Sequence, residues 1–154
     1  MNEEKSLIII KPDAMQRNLL GEIIHRFERK GLKIIGMKMM QINNVLLEEH
    51  YLHLKDKPFF NSLKKYMKSS PVMVMVLSGV NAISAIRIIV GSTKGYEAPA
   101  GSIRGDFSMS SQSNVVHASD SAETAKKEIK RFFKDDEIFE YQKIDTCYIY
   151  SDLI

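Results

Sequence analysis

Residues 72–77 read "VMVMVL", six apolar side chains in succession with no glycine or proline among them. A run of this length suits a strand, and without polar alternation it has no face to offer water, so it belongs at the centre of a sheet. A second run, "SLIIIK" at 6–11, has the same character and ends in a lysine. Both are far too short to cross a bilayer, which takes about twenty apolar residues. Over residues 33–41, Ile35, Met37 and Met39 alternate with Gly36 and Lys38, the pattern of a strand with one covered face. In "NVVHASDS" at 114–121, Val115 and Val116 form a short buried strand, and Ser119, Asp120 and Ser121 open a helix.

The intervening segments have helical periodicity. Leu20, Ile23, Ile24 and Phe27 share one face, and Gly31 follows as a stop. Residues 44–54 form a helix capped by Asn43 or Asn44, with Leu47, His50, Tyr51 and Leu54 on one side, and 59–68 form a shorter one. Residues 81–90 form a helix capped by Asn81, with Ile83, Ile86 and Val90 facing in. The last helix begins at Asp120, whose spacing to Glu123 fits a capping box, with Ala122, Ala125, Ile129, Phe132 and Phe133 supplying its apolar face. The tail "DTCYIYSDLI" has no clear period. This order predicts an α+β fold, a ferredoxin-like sandwich in which helices pack on a four-stranded antiparallel sheet. The 154 residues fit a single domain, 1–154.

Composition narrows the function. Apolar residues at 44% and charged residues at 27% are those of a globular chain. A net charge of +3 admits anionic small molecules but supplies no extended basic stripe for nucleic acid. The lone Cys147 rules out an internal disulfide and a cysteine-based zinc site, and fits a reducing compartment. The polar start "MNEEKS" has no apolar core of a signal peptide, so a soluble cytoplasmic protein is expected, with no membrane partner.

Four histidines are candidates for chemistry. His25 falls on the polar side of its helix. His50 and His53 have a metal-compatible spacing but no second pair of ligands. His117 stands apart, at a strand-to-helix junction beside the long segment 91–113, which holds four of the eight glycines. A loop of that length inside a compact domain is usually functional. A core histidine satisfied by its neighbours is the plainer alternative. Lys11, held by Pro12, together with Arg87 and Arg104, places cations at the ends of elements, where they can hold phosphate oxygens. The common phosphate loop is missing. Gly31 and Gly36 have its spacing, but Met37 follows where lysine is required, and no GxGxxG occurs.

Together these stretches resemble the nucleoside diphosphate kinase family over nearly the whole chain. "NVVHASDS" is similar to its active-site signature, Asn-x-x-His-(Gly or Ala)-Ser-Asp. "IIIKPDAMQR", "GEIIHRFERKGLKI", "EEHYLHLKDKPFF", "SSPVMVMVLSG", "GSIRGDF" and "SAETAKKEI" follow in family order. The resemblance implies transfer of a γ-phosphoryl group from a nucleoside triphosphate to a nucleoside diphosphate, by a ping-pong route through phosphorylated His117, with low base selectivity. It implies that Glu128 accepts a hydrogen bond from the other ring nitrogen of His117. Lys11, Tyr51, Arg87, Thr93 and Arg104 match its phosphate contacts, and Lys11 and Asn114 its sugar contacts. Phe59 matches the base-stacking residue with Leu63 beside it, and Ser119 a serine adjoining the nucleophile. Mg²⁺ would be held by nucleotide phosphates and water, with no direct protein ligand. Asp120 would cap the helix, reach the metal through water, or both, the cap being the preferred reading. A homo-oligomer is implied, a hexamer in preference to a tetramer. Several positions depart from the pattern: Ala14 and Asn18 stand where glycine is frequent, Ser111 where an apolar residue often covers the base, "KGYEAP" in place of an Asn-Pro start, Tyr148 where tryptophan is common and Ser151 where glutamate is common.

Two other classes compete. A ferredoxin-like binding module would have no need of His117, Lys11 and Arg104 together. A phosphohistidine relay domain would carry its histidine on a helical bundle.

Overall fold

The computed structural model describes residues 3–151. Four strands, β1 (Glu3–Ile10), β2 (Lys33–Met40), β3 (Val72–Val80) and β4 (Val116–Ala118), form one antiparallel sheet in the order β2-β3-β1-β4. The helices are α1 (Pro12–Gln16), α2 (Leu20–Arg29), α3 (Asn44–His50), α4 (Phe60–Met67), α5 (Ala82–Val90), α6 (Ile103–Phe107), α7 (Ala122–Phe132) and α8 (Thr146–Ile149). The fold is the expected ferredoxin-like α+β sandwich.

The two apolar runs are the central pair. β1 and β3 pair from Glu3↔Val80 to Ile10↔Met73. Strand period then divides the run in β1 between two cores. Ile8 and Ile10 join Ile23 and Phe27 of α2 and Ile86 and Val90 of α5 on one face. Leu7 and Ile9 join Leu47 of α3, Met67 of α4 and Phe132 of α7 on the other. All four β1 side chains are fully buried, each contributing roughly 2 kcal/mol by leaving water. Among the described residues no helix is long and apolar enough to cross a membrane.

Strand β2 departs from the expected alternation. Ile34 pairs with Leu77 and Gly36 with Val76, so Ile35 is a bulge with no partner of its own. One extra residue reverses the faces of all that follow. Ile35 is buried, but Met37 and Met39 turn outward, 43% and 57% exposed.

Two expected caps are also corrected. Ser121, not Asp120, caps α7, its side chain accepting from Thr124 N at 3.1 Å. Asp120 lies one residue too early and pairs with Arg87 at 3.0 Å. Asn81 adopts left-handed backbone, φ 53°, and its side chain makes no cap bond. Glu4 Oε2 reaches across from β1 to take Ile83 N at 3.0 Å. Asn43 does cap α3, accepting from Leu46 N at 2.9 Å, but that helix ends at His50 and gives way to a 3₁₀ turn at Leu52–Leu54. Asn18, standing where glycine is frequent, has φ 57°, a conformation asparagine tolerates better than most residues.

Segment 91–113 is more ordered than a loop. It contains a 3₁₀ turn at Gly95–Glu97 and the helix α6. A Cβ on Gly105 would lie 1.9 Å from the Pro99 carbonyl oxygen, so glycine is required for α6 to approach this closely. That approach brings Arg104 inside.

Candidate active site

The alternation of β4 aims the histidine. Val116 and Ala118 join the α2/α5 core, and His117, paired with Ile9, faces α3 and α7. Its Nε2 lies 3.0 Å from Glu128 Oε1 on α7. Glu128 Oε2 accepts from Ser119 Oγ at 2.5 Å, and Ser119 Oγ accepts from Leu7 N at 3.0 Å. The relay therefore runs from the central strand to the imidazole. Burial pushes the Glu128 carboxyl up, but the hydrogen bonds from His117 and Ser119 outweigh it and hold the group below the usual range. An ionised carboxylate can only accept, so Nε2 carries the ring proton and Nδ1 keeps its lone pair.

His117 opens onto a cleft of about 1140 Å³, which Lys11, Tyr51, Phe59, Leu63, Arg87, Thr93, Arg104, Asn114, Asp120 and Glu128 also line. The structure thus brings together every residue proposed from the sequence, with Ser119 buried directly behind Glu128. Lys11 Nζ donates to Asn114 Oδ1 at 2.6 Å, and Asn114 Nδ2 donates to the carbonyls of Thr93 and Ser111. One lone pair of Oδ1 is left for a ligand hydroxyl.

Arg104 does more structural work than its sequence position suggested. Nε donates to Asn114 O at 3.2 Å, Nη1 to Gly91 O at 3.1 Å and Nη2 to Val116 O at 2.6 Å. Burial and then the neighbouring Arg87 pull it down to about 10, still charged at neutral pH, with two N–H groups free for the cleft. The buried Tyr51 hydroxyl has no hydrogen-bond partner among the described residues. Burial and then Glu128 push it up, so it remains a neutral donor.

Sequence reasoning missed the surroundings of His117. His50 packs edge-on to His117, ring centroids 4.8 Å apart, and its Nδ1 lies 3.2 Å from Arg131 Nη1. Burial and then the charge of His117 lower it to about 3, so it stays neutral. The only sequence signal was its place on the apolar side of α3. His53 is exposed on the 3₁₀ turn, so the two do not form a metal pair. His50, His117 and Glu128 do bring possible ligand atoms within 4.8 Å. Glu128 already uses both oxygens, and the Arg131 guanidinium sits against His50, which disfavours a cation there. The cluster is the hydrogen-bonded setting of the imidazole.

Comparison with known proteins agrees with this geometry. The family model for nucleoside diphosphate kinase matches residues 4–138. A nucleoside diphosphate kinase of Parabacteroides distasonis is 53% identical over 149 residues, 97% of each chain. Nucleoside diphosphate kinase A of Rattus norvegicus is 46% identical over 150 residues, covering 97% of this chain and 99% of its own. The structure of a halophilic nucleoside diphosphate kinase from Halobacterium salinarum in complex with CDP superposes with a TM-score of 0.94 at 38% identity, over 97% of this chain and 99% of that one. A His117–Glu128 pair facing a cationic cleft, on a chain whose relatives match it over 97% of its length, places this protein in the nucleoside diphosphate kinase family.

Proposed function

We propose that this chain moves a γ-phosphoryl group from a nucleoside triphosphate to a nucleoside diphosphate through a phosphohistidine at His117 Nδ1. The observation that carries the reading is the Nε2–Glu128 hydrogen bond, which leaves Nδ1 unprotonated on an imidazole that lines the cleft. The Nδ1 lone pair attacks the γ-phosphorus, and the bond to the β–γ bridging oxygen breaks, releasing the nucleoside diphosphate. A second diphosphate attacks the phosphohistidine in the reverse sense, and Nδ1 regains its lone pair. Lys11, Tyr51, Arg87, Thr93 and Arg104 hold the phosphates. For phosphoryl transfer, positioning and charge stabilisation are the main demand.

Phe59, 46% exposed at the cleft, offers a ring face for stacking, with Leu63 beneath it. A ring face reads no base edge, which is why base selectivity is low. Mg²⁺ fits as a companion of the nucleotide, neutralising phosphate charge. Asp120 is an exposed carboxylate on the cleft wall, able to reach a metal-bound water, and the described residues offer no free carboxylate cluster. We assign the chain to the cytoplasm, in keeping with its exposed lone Cys147. We assign it a homo-oligomeric state, hexameric in preference to tetrameric, with the apolar Met37 and Met39 on the outer strand β2 as surface for a second copy.

The test is intact mass after mixing with ATP and Mg²⁺. One acid-labile phosphoryl group should appear, and ADP, CDP, GDP and UDP should each discharge it at rates within about tenfold of one another. ATP binding without any gain in mass would reduce the protein to a nucleotide-binding module.

A pH dependence follows from Lys11. Burial, then the nearby Arg104, lower its ammonium to about 7, with Asp13 opposing. Arriving phosphates raise it again. Below about pH 7 Lys11 is charged in both states and affinity is at its full value. Above about pH 7 binding must draw in a proton, so affinity falls as pH rises toward the bound-state value. Calorimetry of ADP binding at pH 8 in buffers of different ionisation enthalpy should show uptake of roughly one proton. Heats independent of buffer would contradict this role.

A further inference from the structure

We propose that Asp13 and Tyr66 form a clasp that positions the nucleophile by holding the backbone corner at Val115, a role that rests on the reading of His117 as nucleophile. Val115 is fully buried and has φ 63°, a conformation that β-branched residues avoid. Val116 N donates to Asn114 O at 2.8 Å, closing a three-residue turn around it. A γ-turn with positive φ is rare and strained, and persists only where its surroundings hold it.

The corner separates two residues of the cleft. Asn114 lies on one side, bonded to Lys11, and His117 follows on the other. Both backbone groups of Val115 are tied to the segment after β1. Its carbonyl accepts from Lys11 N at 2.9 Å, and its N–H donates to Asp13 Oδ2 at 3.2 Å. Asp13 Oδ1 in turn accepts from the Tyr66 hydroxyl on α4. Burial and then Asp13 push that phenol up, so it stays a donor. The helix that holds Tyr66 also carries Leu63 and begins beside Phe59, the wall proposed for the base. One carboxylate thus links that wall to the turn that aims His117. Tyr66 does not line the cleft, so both side chains act through the backbone. Small displacements of a nucleophile cost rate far more than binding.

The test compares Asp13→Ala, Asp13→Asn and Tyr66→Phe by rapid-quench phosphorylation of His117 with ATP, alongside ADP affinity and melting temperature. Asp13→Ala should slow phosphorylation about tenfold or more, with affinity changed less than about threefold. Asp13→Asn keeps an acceptor for Val115 N and a donor for the tyrosine oxygen, and should recover most of the rate. Tyr66→Phe should slow it about threefold with melting near that of the parent, and this variant decides the matter if Asp13→Ala does not fold. An Asp13→Asn as slow as Asp13→Ala would trace the effect to lost charge beside Lys11 and overturn the clasp. Parental rates in Asp13→Ala and Tyr66→Phe, or losses of rate and affinity in equal measure, would overturn it too. A parent that forms no phosphohistidine removes the nucleophile reading and the clasp with it.

Discussion

Replacing His117 by alanine is expected to lower turnover by roughly 10⁴-fold or more, the scale on which removal of a covalent nucleophile acts. Nucleotide affinity should remain within a few-fold of the parent. The two quantities separate because the cleft's cations are not on the imidazole. Lys11, Arg87 and Arg104 all line the cleft independently of it. The variant also leaves Glu128 without its His117 partner, though Ser119 still donates to the second oxygen. That buried negative charge faces incoming phosphate, and a small loss of affinity is its expected sign. A coupled turnover assay beside calorimetric ADP titration measures both. Turnover within tenfold of the parent would end the covalent mechanism.

Arg104→Ala is expected to produce the largest loss of stability among the cleft residues. The side chain is 5% exposed and supplies three hydrogen bonds to carbonyls of Gly91, Asn114 and Val116. Bonds from a charged donor are among the stronger ones, and three are lost at once, although Asn114 O keeps Val116 N as a donor, so a loss of roughly 3 kcal/mol or more is expected. That corresponds to a fall of about 10 °C in melting temperature for a chain of this size. Arg104→Lys should restore little of it, since one ammonium cannot match a planar fork reaching three carbonyls. Urea titration gives the difference directly. A loss under about 1 kcal/mol would show the carbonyls finding water instead.

The strands were legible because β1 and β3 each contain an unbroken apolar run, Leu7–Ile10 and Val72–Leu77, a pattern few other environments permit. The phase of β2 was not. A bulge at Ile35 leaves no mark in composition, and only the pairing with β3 reveals it. The cap of α7 was ambiguous because Asp120 and Ser121 are adjacent and both can cap. The contact with Arg87, 33 positions earlier, decides between them. His117 announced itself through its junction, and the cations through their places at element ends. Glu128 reads as an ordinary helix carboxylate until its distance to His117 is known. Asp13, Tyr66, His50 and Arg131 were hidden for the same reason. Asp13 meets Tyr66 and Val115 across 53 and 102 residues, separations over which local pattern carries no information.

The sheet order has a consequence for how this protein is made. Of these four strands the first to be synthesised, β1, is an inner one, with β3 on one side and β4 on the other. Its "LIII" run can find no partner until residues 72–80 have been synthesised, and its second only at 116–118. At ordinary elongation rates of about 5–20 residues per second, the stickiest segment of the chain waits several seconds in the open. Pairings this distant along the chain also form slowly. The nascent chain is therefore most vulnerable to aggregation between the synthesis of β1 and that of β3, and the strand bearing His117 is the last piece to close the sheet.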